Sequence, residues 1–87
     1  MLLNFLNDSR AYITGKNCVR FWGHDHTIEV TCEVGTEVLK LIHPEMENSE
    51  MSILKAFDTH HLMIKRIGNK NYTQQKKTFI QIKREDF

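Results

Sequence analysis

The stretch CVRFWGHDHTIEV, residues 18–30, decides how the chain folds. It holds the only tryptophan, one of the two cysteines and two of the five histidines, a crowding that invites an active-site reading. Its periodicity points elsewhere. From Val19 onward, Val19 and Phe21 fall on one face and Arg20 and Trp22 on the other, the period of two of a half-buried strand. Further on, Ile28, Val30, Cys32 and Val34 form an apolar row, and Thr27, Glu29, Thr31 and Glu33 a polar one. GHDH between the runs supplies Gly and Asp for a turn, so the unit is predicted to be a β-hairpin with one wet face.

Requiring the apolar rows to share a face sets the register, because a slip of one residue would invert every side chain. Pairing Gly23 with Ile28 puts Phe21 opposite Val30, Val19 opposite Cys32 and Cys18 opposite Glu33. The cysteines then lie on opposite faces, so no disulfide joins them, and Cys32 is expected as a small core hydrophobe.

On the amino-terminal side, LLNFL at 2–6 is a short apolar strand, interrupted at Asn4 and stopped by Asn7-Asp8, without the basic leader of a signal peptide. NDSR and TGKN supply two turns, with residues 10–13 adding extended structure between them. After the hairpin, GTEVLKLIHP predicts a helix of about two turns, with Thr36 as N-cap, Glu37 near the positive end of the dipole, and Pro44 forcing His43 out of helical geometry. Asn48 or Ser49 then caps a longer helix, in which Ile53 or Leu54, Phe57, His60 or His61, Ile64 and Ile67 recur every three or four residues. It ends at Gly68-Asn69 or continues one turn to Tyr72. KTFIQIK, alternating Phe79 or Thr78 against Ile80 and Ile82, is the last strand. The order β-β-β-α-α-β predicts a single α+β domain over residues 1–87, with an antiparallel sheet of about four strands and two helices on one face.

Size and composition bound the function. A chain of 87 residues buries only about three-fifths of its unfolded surface, which leaves little room for an enclosed active site. With 40% hydrophobic and 26% charged residues, disordered, collagen-like and coiled-coil classes do not fit. No window approaches the roughly 20 apolar residues of a membrane helix. Two cysteines without a secretory signal point to a reduced, cytoplasmic protein.

VRFWGHD at 19–25, ILKAFD at 53–58 and the terminal EDF at 85–87 resemble the small bacterial family catalogued as domain of unknown function 1488. The resemblance covers nearly the whole chain. It implies a single α+β domain with an antiparallel sheet and a long helix running through Tyr72, and it lends no catalytic residue. Gly68 departs from the alanine-like residue of that pattern.

The triplet His24-Asp25-His26 contains three side chains able to bind a metal, and two histidines at i and i+2 can point the same way on a strand. A structural zinc site needs about four ligands, however, and Cys18, His43, His60 and His61 are scattered, without CxxC or HxxxH spacing. No metal or cofactor is implied. A thiol–imidazole reading would take Cys18 as nucleophile, His24 or His26 as base and Asp25 as orienter. At about 3.3 Å per residue, Cys18 lies too far down its strand from the tip to reach them. No phosphate loop, nucleophile elbow or carboxylate pair is present, and the chain is expected to be non-catalytic.

Charge is distributed unevenly. Residues 1–62 carry five Lys or Arg and nine Asp or Glu, a net −4, while residues 63–87 carry seven and two, a net +5. Lys65, Arg66, Lys70, Lys76 and Lys77, with Lys83 and Arg84 beyond and Tyr72 as a stacking group, form the nucleic-acid candidate. Self-association explains the same asymmetry: an acidic hairpin surface bearing Glu29 and Glu33 would meet a basic helix end on another copy. Trp22 would anchor it, unless the first helix or the amino-terminal segment covers that ring. Arg20 is placed to pair with Glu29 or Glu33 across the strands. The expectation is a binding or assembly module whose partner, a second copy or another protein, meets Arg20, Trp22, His24, Asp25 and Glu29. Nucleic-acid binding through the basic region stands second.

Overall fold

The computed structural model describes residues 3–5 and 8–87. Strand β1 spans Arg10–Ile13, β2 Cys18–Asp25, β3 Ile28–Gly35 and β4 Phe79–Ile82. Helix α1 spans Thr36–Ile42, α2 Glu50–Thr59 and α3 His61–Gln75, with short 3₁₀ turns at Thr14–Lys16 and Arg84–Asp86. The sheet order is β1-β2-β3-β4.

The hairpin closes more tightly than GHDH suggested. Asp25 pairs with Ile28 around a loop of only His26 and Thr27, so Phe21 faces Cys32, Gly23 faces Val30 and Val19 faces Val34. His26 makes this loop feasible by taking a left-handed conformation with φ of 59°. The expected pairing of Gly23 with Ile28 is therefore two residues off, and Cys18 faces Gly35 rather than Glu33. A shift of two keeps every side chain on its face. Gly23 serves the packing instead of the turn: a Cβ there would come within 2.8 Å of the Phe5 ring. Ile28, assigned to the apolar row, sits at the hairpin tip and is half exposed.

Val19, Phe21, Val30, Cys32 and Val34 are wholly buried and form the sheet's share of the core, with Ile80 and Ile82 from β4. Leu39, Ile53, Ala56, Phe57 and Ile64 close over them from the helices. Phe57 meets Phe21 at a ring separation of 5.1 Å, and Phe5 meets it from the other side at 6.0 Å. Of the strand expected at 2–6, residues 2 and 6 lie outside the described residues. Asn4 forms an isolated antiparallel bridge with His24, and the Leu3 amide donates to Asn69 on α3.

Three corrections concern the helices and the last strand. First, β4 joins β3 in parallel, with Cys32 beside Ile80 and Val34 beside Ile82, so the sheet is mixed. Parallel neighbours need a long crossover, and the helical layer between β3 and β4 provides it. Second, the described residues form three helices, because the long periodic stretch breaks at His60. No Gly or Pro marks this break; both halves keep their apolar stripe on the sheet, so the periodicity passes through it unchanged. His60 and His43, the last residue before Pro44, bring ring nitrogens to 3.1 Å across it. Third, Gly35 rather than Thr36 is the N-cap of α1. Ser49 caps α2 by accepting from the Ser52 amide, as its sequence position suggested.

Helix α3 passes through Gly68 and Tyr72 to Gln75. A methyl group at Gly68 would meet Cys32 Sγ at 3.5 Å and Phe21 and Ile82 at 3.8 Å, ordinary contact distances. The glycine therefore costs helix propensity without being required by space. Gly68→Ala is expected to raise stability by about 1 kcal/mol, measured by urea denaturation. A loss of stability would show that α3 lies closer to the sheet than described.

Candidate functional site: the open face of the sheet

The helices cover one face of the sheet; the other collects the remaining half of each strand's alternation. On β2 these are Cys18, Arg20, Trp22 and His24, on β3 Glu29, Thr31, Glu33 and Gly35, and on β4 Phe79 and Gln81. The register places Trp22, Thr31 and Phe79 in one row across three strands, and Arg20, Glu33 and Gln81 in the next. Trp22 is partly exposed and Phe79 is 42% exposed.

Glu33 is the electrostatic centre of this face. Only 4% of it is exposed, yet Oε2 accepts from Arg20 Nε at 2.8 Å and Nη2 at 2.6 Å, while Lys16 Nζ lies 3.0 Å from Oε1. Burial alone would push its carboxyl up; the hydrogen bonds and charges of Arg20 and Lys16 outweigh that and hold it below the usual carboxylate range. Lys16 also stands over the Phe79 ring, 5.1 Å from its centroid, so one ammonium joins the buried acid to the exposed aromatic. Of the two cross-strand partners expected for Arg20, Glu33 is the one that pairs with it. Glu29 lies opposite His24, with 3.9 Å between Oε2 and Nε2.

Beside β4 runs a groove of about 410 Å³, lined by Gln75, Lys77, Thr78, Phe79, Gln81 and Lys83. None of these six carries a carboxylate. A second groove of about 310 Å³, at the Cys18 end of the face, mixes Lys16, Lys83 and Arg84 with Glu33, Glu37 and Glu85.

The sequence candidates separate in space. Asp25 belongs to the helix side, where Tyr72 Oη donates to its Oδ2 at 2.6 Å. Tyr72 is buried, so it offers no surface for stacking; the bond to Asp25, aided by burial, raises its phenol pKa. His26 projects from the tip with its side chain 95% exposed, so the HDH triplet is spread over two faces and a turn. Among the described residues no three of His, Cys, Asp and Glu converge as a metal ion would need. Lys65, Arg66 and Lys70 stand on α3, in the layer behind the sheet. Lys65 is largely covered, 3.3 Å from Asp8 and over the Phe5 ring. Lys76 ends α3 in a left-handed conformation, its amide donating to the Tyr72 carbonyl. Of the nucleic-acid candidates, Lys77 and Lys83 line the β4 groove.

Phe79, Lys16 and the two glutamines were not among the candidates. The alternation in TFIQI carried the signal for Phe79, since it opposes the buried Ile80 and Ile82 as Trp22 opposes Phe21. Both cysteines are unpaired. Burial pushes the Cys32 thiol up to about 12, and burial followed by the charge of Glu33 raises that of Cys18, so both are held as thiols.

The lowered carboxyl of Glu33 ties stability to pH. The stabilisation is fully present above the carboxyl's unfolded value and is lost as pH falls through its lower folded value. Glu33→Gln is expected to cost about 2 kcal/mol at neutral pH, with a smaller deficit at acid pH, both measured by urea denaturation. An equal deficit at the two pH values would rule out the charge as its cause.

The family model described as Protein of unknown function (DUF1488) matches residues 3–80. None of the curated proteins matches the chain. The fold is similar to that in the crystal structure of a protein of unknown function from the DUF1488 family of Shewanella loihica PV-4. The TM-score is 0.86 at 19% sequence identity, covering 94% of this chain and 92% of that one. Since the family model takes in nearly all of the sequence, from the start of the described structure into β4, the chain belongs to the DUF1488 family.

Proposed function

We propose that this protein is a non-catalytic binding module that works through the open face of its sheet. The observation that carries the reading is the contrast between the two faces. One is packed by three helices, while on the other Trp22 stays partly exposed and Phe79 42% exposed in a common row. A 10.3 kDa chain short of core would gain by burying those rings, so leaving them on the surface favours a use outside the fold.

The reactive side chains support the non-catalytic part. Glu33 is engaged by Arg20 and Lys16, Asp25 by Tyr72, and both thiols are held protonated. No helix of the described chain is long and apolar enough to cross a membrane.

Self-association rested on an acidic hairpin carrying Glu29 and Glu33. With Glu33 neutralised within its own chain, Glu29 is the only acid of that pair left, and the complementarity to a basic helix end is much reduced. The charge pattern therefore favours a ligand other than a second copy.

If the face is reserved for binding, its rings can be removed at small cost. The double variant Trp22→Ala/Phe79→Ala is expected to lose less than Phe21→Ala in the core, which costs about 4 kcal/mol, both by urea denaturation. A loss in the double variant as large as that of Phe21→Ala would make the face structural and overturn the reading.

A further inference from the structure

Resting on the open-face reading, we infer that the ligand is single-stranded nucleic acid, held by base stacking on Phe79 and Trp22 and by phosphate contacts from Lys16, Lys77 and Lys83. The groove beside β4 has the chemistry for it. Its floor is an exposed aromatic ring, two ammonium groups line it, and two glutamine amides can donate to and accept from base edges. No acid stands among its lining residues to repel a phosphate. From Lys76 to Arg84 the chain carries four cations and no Asp or Glu.

The register extends this groove into a platform. Phe79 is beside Thr31 and Thr31 is beside Trp22, so the two rings are two strand spacings apart, about 10 Å. A strand with unstacked bases can set one base on each ring. A duplex cannot, because its bases are already stacked on one another. Lys16 is the hinge of the arrangement. Its side chain is 46% exposed, and its ammonium already lies over Phe79 and against Glu33, where it can meet the phosphate of a base seated on the ring. Because Glu33 is already paired with Arg20, its charge does not oppose the strand.

The sole tryptophan lies in the site, so its emission reports occupancy directly. The full chain titrated with short oligo(dT) and oligo(rU) is expected to show saturable quenching of Trp22. The affinity should fall with salt on a log–log slope of about −2, as three phosphate contacts to a single strand require. Phe79→Ala should weaken binding at least about fivefold. Phe79→Leu, which keeps an apolar side chain without the ring, should do the same if the alanine variant fails to fold. Lys77→Gln and Lys83→Gln should weaken binding and flatten the salt slope, while Lys70→Gln on α3 should leave both unchanged.

A duplex or poly-glutamate that competes as well as the single strand would overturn the inference. So would the absence of both quenching and an anisotropy change of labelled oligonucleotide at low salt. If, in that case, light scattering shows a second copy that Trp22→Ala releases, the open face is a binding surface and only the nucleic-acid assignment is lost. Oligonucleotide binding that the Trp22 and Phe79 variants leave unchanged would overturn both.

Discussion

The pairing of Phe21 with Cys32 across β2 and β3 puts Arg20 directly opposite Glu33 on the reverse side of the same two strands. In a period-two structure these are one constraint, because sending Phe21 and Cys32 into the core sends Arg20 and Glu33 away from it. The core face then sets Val19, Phe21, Val30, Cys32 and Val34 against the helices, and the polar groups on that face, Arg10 on β1 and Asp25 near the hairpin tip, are paired with Asp58 and Tyr72. The outward face receives a carboxylate that the strands themselves bury, which is tolerable because two cations are within reach. Hydrophobic packing and charge pairing thus select the same register.

What happens at β4 follows from that hairpin. The strand enters beside β3 and in parallel, so its alternation is tied to that of β3: Ile80 and Ile82 join Cys32 and Val34 in the core, while Phe79 and Gln81 join Thr31 and Glu33 outside. The tryptophan and the phenylalanine, 57 positions apart in sequence, reach a common row only through this crossover. Lys16, just before β2, closes the arrangement by touching Glu33 and standing over Phe79. The open face is assembled from three separate stretches of chain around one ion-paired acid.

Much of this was legible in the sequence for a physical reason. Alternation reports which face a side chain takes, and that survives a register error of two, so the core row, apart from the exposed Ile28, and the Arg20–Trp22 face were read correctly while their partners across the hairpin were not. Gly23 was misread as a turn residue because the Phe5 ring that requires it comes from a separate strand segment. Strand direction leaves no local trace, and the parallel entry of β4 was invisible for that reason. The break at His60 was hidden because neither Gly nor Pro marks it and the apolar stripe continues across it. Tyr72 looked like a stacking group among lysines, yet its helical position turns it inward to Asp25; Phe79, on the strand, faces out.

As we propose, the hairpin separates a packed face from one left open for binding, with Trp22 on the latter. Acrylamide quenching of tryptophan emission tests this most directly, because the chain has a single indole. In the free, folded protein the emission should be quenched to a degree between that of the urea-unfolded chain and that of a buried indole. Emission that acrylamide leaves untouched in a protein shown to be monomeric by light scattering would place Trp22 inside the fold and contradict the account.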